Sequence, residues 1–173
     1  SDQKSLQDLD SRALASLTTN ILKSLECQFL QNANSEIRQQ SKLHLFKNID
    51  HSLKPAQYLS VINSREERSL FSNLRLGTLK LEIETGRYDK IDKGRRFCRL
   101  CDSGKIENEC HFLFDCPALT IPRSPILENI IRMHPRISQL STEDKIKFLF
   151  FNNDLDTPTL MAASNLLQDL FRE

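Results

Sequence analysis

The segment from Cys98 to Cys116 constrains this 173-residue chain more than any other part of it. It places Cys98, Cys101, His111 and Cys116 in the spacing C-x2-C, nine residues, then H-x4-C. Two cysteines separated by two residues can chelate one tetrahedral ion from a tight turn, and the second pair can reach it from a helical turn or a short loop. The pattern therefore predicts one structural Zn2+ bound by these four side chains.

Two alternatives to this ligand set stay open. Cys110 is adjacent to His111 and could replace it in an all-cysteine site. The four residues could also be ordinary buried thiols and a core histidine. Clustering of cysteines beside a histidine indicates a metal in a reducing compartment rather than a disulfide framework. A closed set of four protein ligands is typical of structural zinc, because it leaves no position for a catalytic water.

The surroundings of the four ligands fit a small folded module. Asp102, Ser103 and Gly104 supply turn-forming residues between the two halves. We expect a small apolar core around the ion, formed by Phe97, Leu100, Phe112, Leu113 and Phe114. Three thiolates and a neutral imidazole leave Zn2+ with one net negative charge. Nearby arginines are expected to offset that charge and to favour thiolate formation, namely Arg95, Arg96 and Arg99.

Outside the cysteine segment the sequence predicts a mostly α fold, with the zinc knuckle as an irregular insert between helices. Only four Gly and six Pro leave little room for a sandwich rich in tight turns. An apolar fraction of 39% and a charged fraction of 27% indicate a globular, soluble chain. We expect an N-terminal helical segment at 1–64, a basic helix with the knuckle at 65–123, and C-terminal helices at 124–173 that pack on the same domain.

Helix limits follow from apolar stripes and capping residues. A first helix is predicted from the stripe Leu6, Leu9, Ala13, Leu14, Leu17, Ile21 and Leu25, with a break at 32–35 and a second helix from Glu36. A short helix follows Pro55, and another spans 65–85, interrupted by Gly77 and ended by Gly86.

The C-terminal part predicts three further helices. Prolines bound a short one around 126–133. Ser141 begins the next, and Thr157 with Pro158 caps the last. The face of the last helix consists of Leu160, Ala163, Leu167, Leu170 and Phe171.

An ordered set of motifs resembles the C-terminal region of LINE-type, non-LTR retrotransposon polyproteins, beyond the reverse transcriptase. The quoted residues are Tyr58-Leu59, Leu74-Arg75-Leu76-Gly77, Leu81 to Tyr88, Arg96 to Cys101, Ile106 to Glu109, His111 to Pro117, and Arg123. The resemblance covers about half of the chain. It implies a nucleic-acid-associated zinc knuckle that helps to engage template RNA or target DNA, acting in the nucleus. A host protein derived from such an element fits equally.

Local charge supports a nucleic-acid partner, although the net charge of the chain is only +1. Between residues 65 and 99 there are ten Lys or Arg and six Asp or Glu. The candidates for phosphate contacts are Arg75, Lys80, Arg87, Lys93, Arg95, Arg96, Arg99 and Lys105. Tyr88, and less so Phe97, could stack on unpaired bases. The alternative is that Arg87 and Arg96 brace the knuckle by bonding to Glu82, Glu84 or backbone carbonyls.

A different class of function is a scaffold or protein-interaction domain. Its Leu-rich terminal helices would dock on the parent reverse transcriptase, a host factor or a second copy. Nothing indicates an enzyme, because the sequence contains no paired-aspartate polymerase motif, nucleophile elbow or zinc-deaminase order of residues. No stretch approaches the roughly 20 apolar residues of a membrane span, and no secretion signal opens the chain. The start at Ser1, without Met, suggests a piece of a longer protein.

Overall fold

The computed structural model describes residues 2–39, 45–46 and 55–171. The chain forms two compact units, the first containing helix α1 (Asp2–Gln39) and the second containing residues 45–46 and 55–171. The regular elements of the described residues are helices, together with one antiparallel bridge between Phe97 and Ile106. The expected mostly α fold with a small irregular knuckle between helices is confirmed. The segment limits expected at residues 64 and 123 stay a prediction.

Helix α1 continues through the break that the sequence predicted at 32–35. That prediction was wrong because the segment contains no Gly or Pro, and Asn or Ser costs less than about 0.7 kcal/mol in a helix. Six large apolar side chains of α1 are 50–64% exposed: Leu14, Leu17, Ile21, Leu22, Leu25 and Phe29. The side chains of Leu6 and Leu9, which open the predicted stripe, lie outside the described residues.

The second unit contains six α-helices in its described part. They are α2 (Tyr58–Val61), α3 (Arg65–Leu76), α4 (Glu82–Tyr88), α5 (Thr120–Met133), α6 (Thr142–Phe151) and α7 (Thr157–Phe171). Short 3-10 helices cover Lys93–Arg95, Pro117–Leu119 and Pro135–Gln139, and a π-helical turn covers His111–Asp115. The knuckle lies between α4 and α5 in the chain.

Helix α7 forms the centre of this unit and packs against α2, α3, α5 and α6. Four of the five residues predicted for its apolar face, Leu160, Ala163, Leu167 and Leu170, are at most 3% exposed, and Phe171 is partly buried. This burial removes the C-terminal stripe from the surfaces that could dock on a partner. Tyr58 stacks on Phe71 with ring centroids 4.8 Å apart, which attaches α2 to the same core.

Capping residues set several helix limits as expected. The Ser141 hydroxyl accepts a hydrogen bond from the Asp144 amide at 3.1 Å, and α6 begins at the next residue. Gly77 ends α3 in the left-handed conformation, with φ of 63°, which an L side chain adopts only at a cost. The interrupted 65–85 helix is therefore two helices, α3 and α4.

Three other helix limits differ from the sequence prediction. Gly86 does not end α4, which extends to Tyr88. Helix α5 begins at Thr120 rather than near residue 126. Pro122 lies in its first turn, where the missing amide lacks a helical acceptor anyway, and Pro125 lies inside the helix. Asp156, rather than Thr157, caps α7, since its carboxylate accepts the Thr159 amide at 3.1 Å. No helix in the described ranges is long and apolar enough to cross a membrane.

Candidate metal centre

The first half of the knuckle, from Phe97 to Ile106, is a tight turn whose two ends pair as a short antiparallel bridge. The Cys98 amide donates to the Lys105 carbonyl at 2.9 Å, and the Glu107 amide donates to the Arg96 carbonyl at 3.0 Å. Between them Gly104 adopts a φ of 65°, which favours glycine. This pairing folds the C-x2-C segment back on itself, so the turn expected from Asp102-Ser103-Gly104 is confirmed.

The second half is a π-helical turn. The Cys116 amide donates to the His111 carbonyl five residues earlier, at 2.6 Å. The Asn108 side-chain oxygen accepts the His111 amide at 2.8 Å and so caps the start of the turn. An i→i+5 bond widens and underwinds one turn of a helix. It brings His111 and Cys116 to the same side, where the H-x4-C spacing requires them.

The side chains of the four predicted ligands lie close together. Their ligand atoms all lie within 4.8 Å of one another, which is close enough to hold a metal ion. Cys98 Sγ is 3.9 Å from Cys116 Sγ, and Cys101 Sγ is 3.3 Å from His111 Nε2. A tetrahedral ion with metal–sulfur bonds of about 2.3 Å requires about 3.8 Å between two sulfurs and about 3.6 Å between sulfur and nitrogen. Both observed distances are within a few tenths of an ångström of these values.

The cluster is largely removed from water. His111 is 3% exposed, Cys116 is fully buried and Cys98 is 8% exposed. His111 Nδ1 is buried and has no hydrogen-bond partner among the described residues. Without an ion, burial raises the pKa of Cys98 to about 12, whereas hydrogen bonding by Ser103 lowers the pKa of Cys101 to about 6.

Cys110 lies outside the group of four ligands. Burial raises the pKa of its thiol to about 11, and its hydrogen-bonding neighbour is Thr142 at the start of α6. The helical turn after residue 108 directs successive side chains about 100° apart, so neighbours in sequence cannot both face the cluster. The structure thus groups His111, rather than Cys110, with the other three ligands.

Basic side chains attach the knuckle to α4. Arg96 donates to the Ile83 carbonyl at 2.6 Å and to the Ile91 carbonyl at 3.1 Å. Arg99 forms a bidentate pair with Glu82, with N···O distances of 2.8 and 3.0 Å. These contacts show that both arginines support the knuckle.

Two further hydrogen-bonding contacts lie in α4 and in the knuckle. Arg87 pairs with Glu84 at 2.9 Å, and its guanidinium lies 4.8 Å from the centre of the Tyr88 ring. The bracing contact foreseen for Arg96 is present, whereas the bond between Arg87 and Glu84 lies within α4 and does not reach the knuckle. Glu107 is 6% exposed, and its carboxylate accepts the Arg99 amide at 3.1 Å. Phosphate contacts by these arginines stay a prediction.

Arg75 lies in the aromatic core rather than near the knuckle. Its guanidinium is 5.0 to 5.7 Å from the ring centres of Phe46, Tyr58 and Phe151, and it donates to the Phe150 carbonyl at 3.0 Å. Burial lowers the pKa of Arg75. These contacts give it a structural role, and its predicted phosphate contact stays untested.

The remaining basic candidates are exposed. They are Lys80, Lys93, Arg95 and Lys105, and none forms an ion pair within the described part of the chain. Tyr88 is 70% exposed and Phe97 49% exposed. The predicted apolar core around the ion was therefore wrong for Phe97 and for Leu100, which is 50% exposed. A short turn of this kind buries only one of its faces, and here the metal ligands lie on the buried face.

One buried residue beside the cluster was not predicted from the sequence as part of the site. Arg123 on α5 is 6% exposed and donates to the Cys116 carbonyl at 3.1 Å. In the sequence it marks only the end of the family resemblance. No local pattern indicates its burial, because that depends on how α5 packs behind the knuckle.

No protein-family model, curated protein or solved structure matches this chain. The resemblance to the LINE-type polyproteins rests on the quoted motifs, and the origin that it implies stays an expectation.

Proposed function

We propose that the chain is a zinc-ordered module that binds RNA or DNA and is not itself an enzyme. The family resemblance suggests that it assists a non-LTR reverse transcriptase in engaging template RNA or target DNA in the nucleus. The observation that carries the proposal is the convergence of Cys98, Cys101, His111 and Cys116 on one point beside an exposed basic and aromatic segment.

Zinc is the ion that this donor set favours. Three thiolates and one imidazole at tetrahedral spacing suit Zn2+, whereas Ca2+ and Mg2+ require oxygen ligands. Four protein ligands fill a tetrahedral shell and leave no position for a water to be activated. This saturation supports a structural rather than a catalytic ion.

The nucleic-acid part of the proposal rests on the surface next to the ion. Lys93 and Arg95 precede the exposed Phe97, and Lys105 precedes the residue that pairs with Phe97 in the bridge. Cations that neutralise phosphates, with an aromatic side chain that stacks on a base, are the usual elements of single-strand binding. Tyr88 offers a second exposed ring after α4.

The first experiment measures metal content and metal identity in the purified protein by elemental analysis and native mass spectrometry. The proposal expects one zinc per chain. Absence of bound metal after purification, together with no zinc uptake by the reduced protein, would contradict it.

The second experiment measures binding of fluorescent single-stranded RNA, single-stranded DNA and duplex DNA over a salt series. Substituting Arg95 and Lys105 with Gln removes two exposed cations and spares the bracing arginines. If each contacts one phosphate, the slope of log affinity against log salt should fall by about 1.4 on a single strand. A matched control substitutes the exposed Arg132 and Arg136 with Gln and should leave the slope unchanged. Equal effects of the two pairs would show nonspecific attraction and refute a site at the knuckle.

A second candidate function, docking on a protein, is favoured by one observation. The apolar side chains of α1 are at least half exposed, from Leu14 to Phe29. Substituting Leu17 and Ile21 with Gln should abolish association with the parent polymerase but leave nucleic-acid affinity unchanged. Loss of nucleic-acid binding in that variant, with the polymerase contact retained, would argue against this function.

A further inference from the structure

The guanidinium of Arg123 lies in an unusual place for a charged group. The residue is 6% exposed, and Nη1 is buried with no hydrogen-bond partner among the described residues. Nη2 donates to the Cys116 carbonyl at 3.1 Å, and it approaches the Thr120 hydroxyl at 3.5 Å. None of the ion pairs observed in the described chain includes Arg123. A buried cation without a paired anion is strongly unfavourable.

The other arginines near the knuckle do not supply a buried charge to the cluster. Arg96 donates to two backbone carbonyls, and Arg99 pairs with Glu82 while its side chain stays 69% exposed. Arg95 is exposed to solvent. Water screens a charge at such positions, so their influence on a buried cluster is weak.

The acidic groups whose charge acts on Arg123 are Cys116 and Asp115. The Arg123 guanidinium lies against the Cys116 backbone, since Nη2 donates to the Cys116 carbonyl at 3.1 Å. Asp115 is exposed, whereas Cys116 is fully buried. The buried anion that can balance Arg123 is therefore on the ligand side.

We infer that Arg123 is the counter-cation of the metal–thiolate cluster and strengthens metal binding through Cys116. Three thiolates, one imidazole and Zn2+ carry one net negative charge, which matches the single positive charge of the guanidinium. The hydrogen bond to the Cys116 carbonyl also fixes the backbone of a ligand. This inference rests on the zinc site of the proposed function and adds a positioning residue to it.

The inference predicts opposite effects of one substitution in the two forms of the protein. In the zinc-bound form, Arg123→Met leaves the negative cluster without its counter-charge, so zinc affinity should fall about 10- to 100-fold, as for other outer-shell partners. In the metal-free form there is no metal–thiolate cluster for Arg123 to balance, and the same substitution removes a buried cation that has no ion-pair partner among the described residues. The metal-free domain should then be no less stable than the metal-free wild type.

The test titrates zinc into the reduced full chain against a chromogenic chelator and measures urea unfolding of the metal-free protein. Arg132→Met on the exposed side of α5 is the matched control and should bind zinc like the wild type. Arg123→Lys keeps the charge and should bind zinc more tightly than Arg123→Gln. Unchanged zinc affinity in Arg123→Met, or equal affinities for the Lys and Gln variants, would overturn the inference.

Two further outcomes separate this inference from the proposal on which it rests. If wild-type protein binds no zinc, the zinc site itself fails. If wild-type binds zinc and Arg123→Met weakens binding only in proportion to a loss of metal-free stability, Arg123 is a packing residue and the inference fails alone. If the Met variant does not fold, the Lys and Gln pair provides the same comparison of charge.

Discussion

Metal removal should open the first half of the knuckle while the helical core stays folded. Of the ten residues from Phe97 to Ile106, only Cys98 is buried. Ordering ten residues costs at least about 10 kcal/mol of backbone entropy at 25 °C. Hydrogen bonds from the amides of Cys98, Arg99 and Glu107 return about 3 kcal/mol, at about 1 kcal/mol each.

Partial burial of apolar side chains adds to the free energy that stabilises the folded turn. Phe97 and Leu100 are each about half-exposed, and together they contribute about 2 to 3 kcal/mol. About 4 kcal/mol remains to be supplied, and zinc binding of order 10 kcal/mol in small modules is sufficient. Metal removal should open the segment from His111 to Leu119 less than the first half of the knuckle, because Phe112 and Leu113 are buried in the main core.

Hydrogen–deuterium exchange with and without zinc measures this effect. Removing the ion with a strong chelator under reducing conditions should lower protection of the Cys98 and Glu107 amides about 10⁴-fold, because zinc binding of order 10 kcal/mol exceeds the deficit of about 4 kcal/mol by about 6 kcal/mol. Amides in the middle of α7 serve as the internal control and should change little. Unchanged protection at Cys98 and Glu107 would refute the reasoning, because the turn would then be stable without the ion. Equal loss in α7 would also refute it, since the knuckle and core would then be one cooperative unit.

Three other substitutions test the packing and capping contacts. Gly86→Ala should destabilise by about 1 to 3 kcal/mol in urea unfolding, since the added Cβ would lie 2.9 Å from Arg96 Cγ; stabilisation, as expected from helix propensity alone, would contradict this. Arg75→Met should cost about 2 kcal/mol of stability while leaving the salt slope of nucleic-acid binding unchanged, whereas a lower slope in folded protein would restore Arg75 as a phosphate contact. Asp156→Ala should cost about 1 kcal/mol at pH 7 by removing the cap of α7. Burial raises the pKa of Asp156, but hydrogen bonds from Thr159 outweigh it and hold the pKa below its ordinary value. The stabilisation is therefore complete above the unfolded pKa of about 3.9 and is lost as pH falls through the folded value. Acid titration of wild type and variant should show their unfolding free energies converging, and a constant difference would exclude the ionised carboxylate as the cause.

The ligands and the helical class could be predicted from the sequence because both depend on short-range patterns. Chelation by Cys98 and Cys101 requires only a tight turn, and Gly104 encodes that turn by permitting a positive φ. Likewise the cap at Ser141 needs one hydroxyl three residues before an amide. Such features involve only a few neighbouring residues, so they can be predicted from the sequence.

Tertiary structure alone decided which charged and small residues serve the core. Arg75 and Arg99 look alike as basic candidates, but distant aromatic rings surround the first, and Glu82 pairs with the second. Gly86 suggests a helix end, yet it lies within α4, where Arg96 packs so closely that a Cβ would lie 2.9 Å from its Cγ. Arg123 becomes buried because α5 places it behind Cys116. Burial and charge pairing depend on residues far apart in the chain, and local spacing carries no information about which of them will meet.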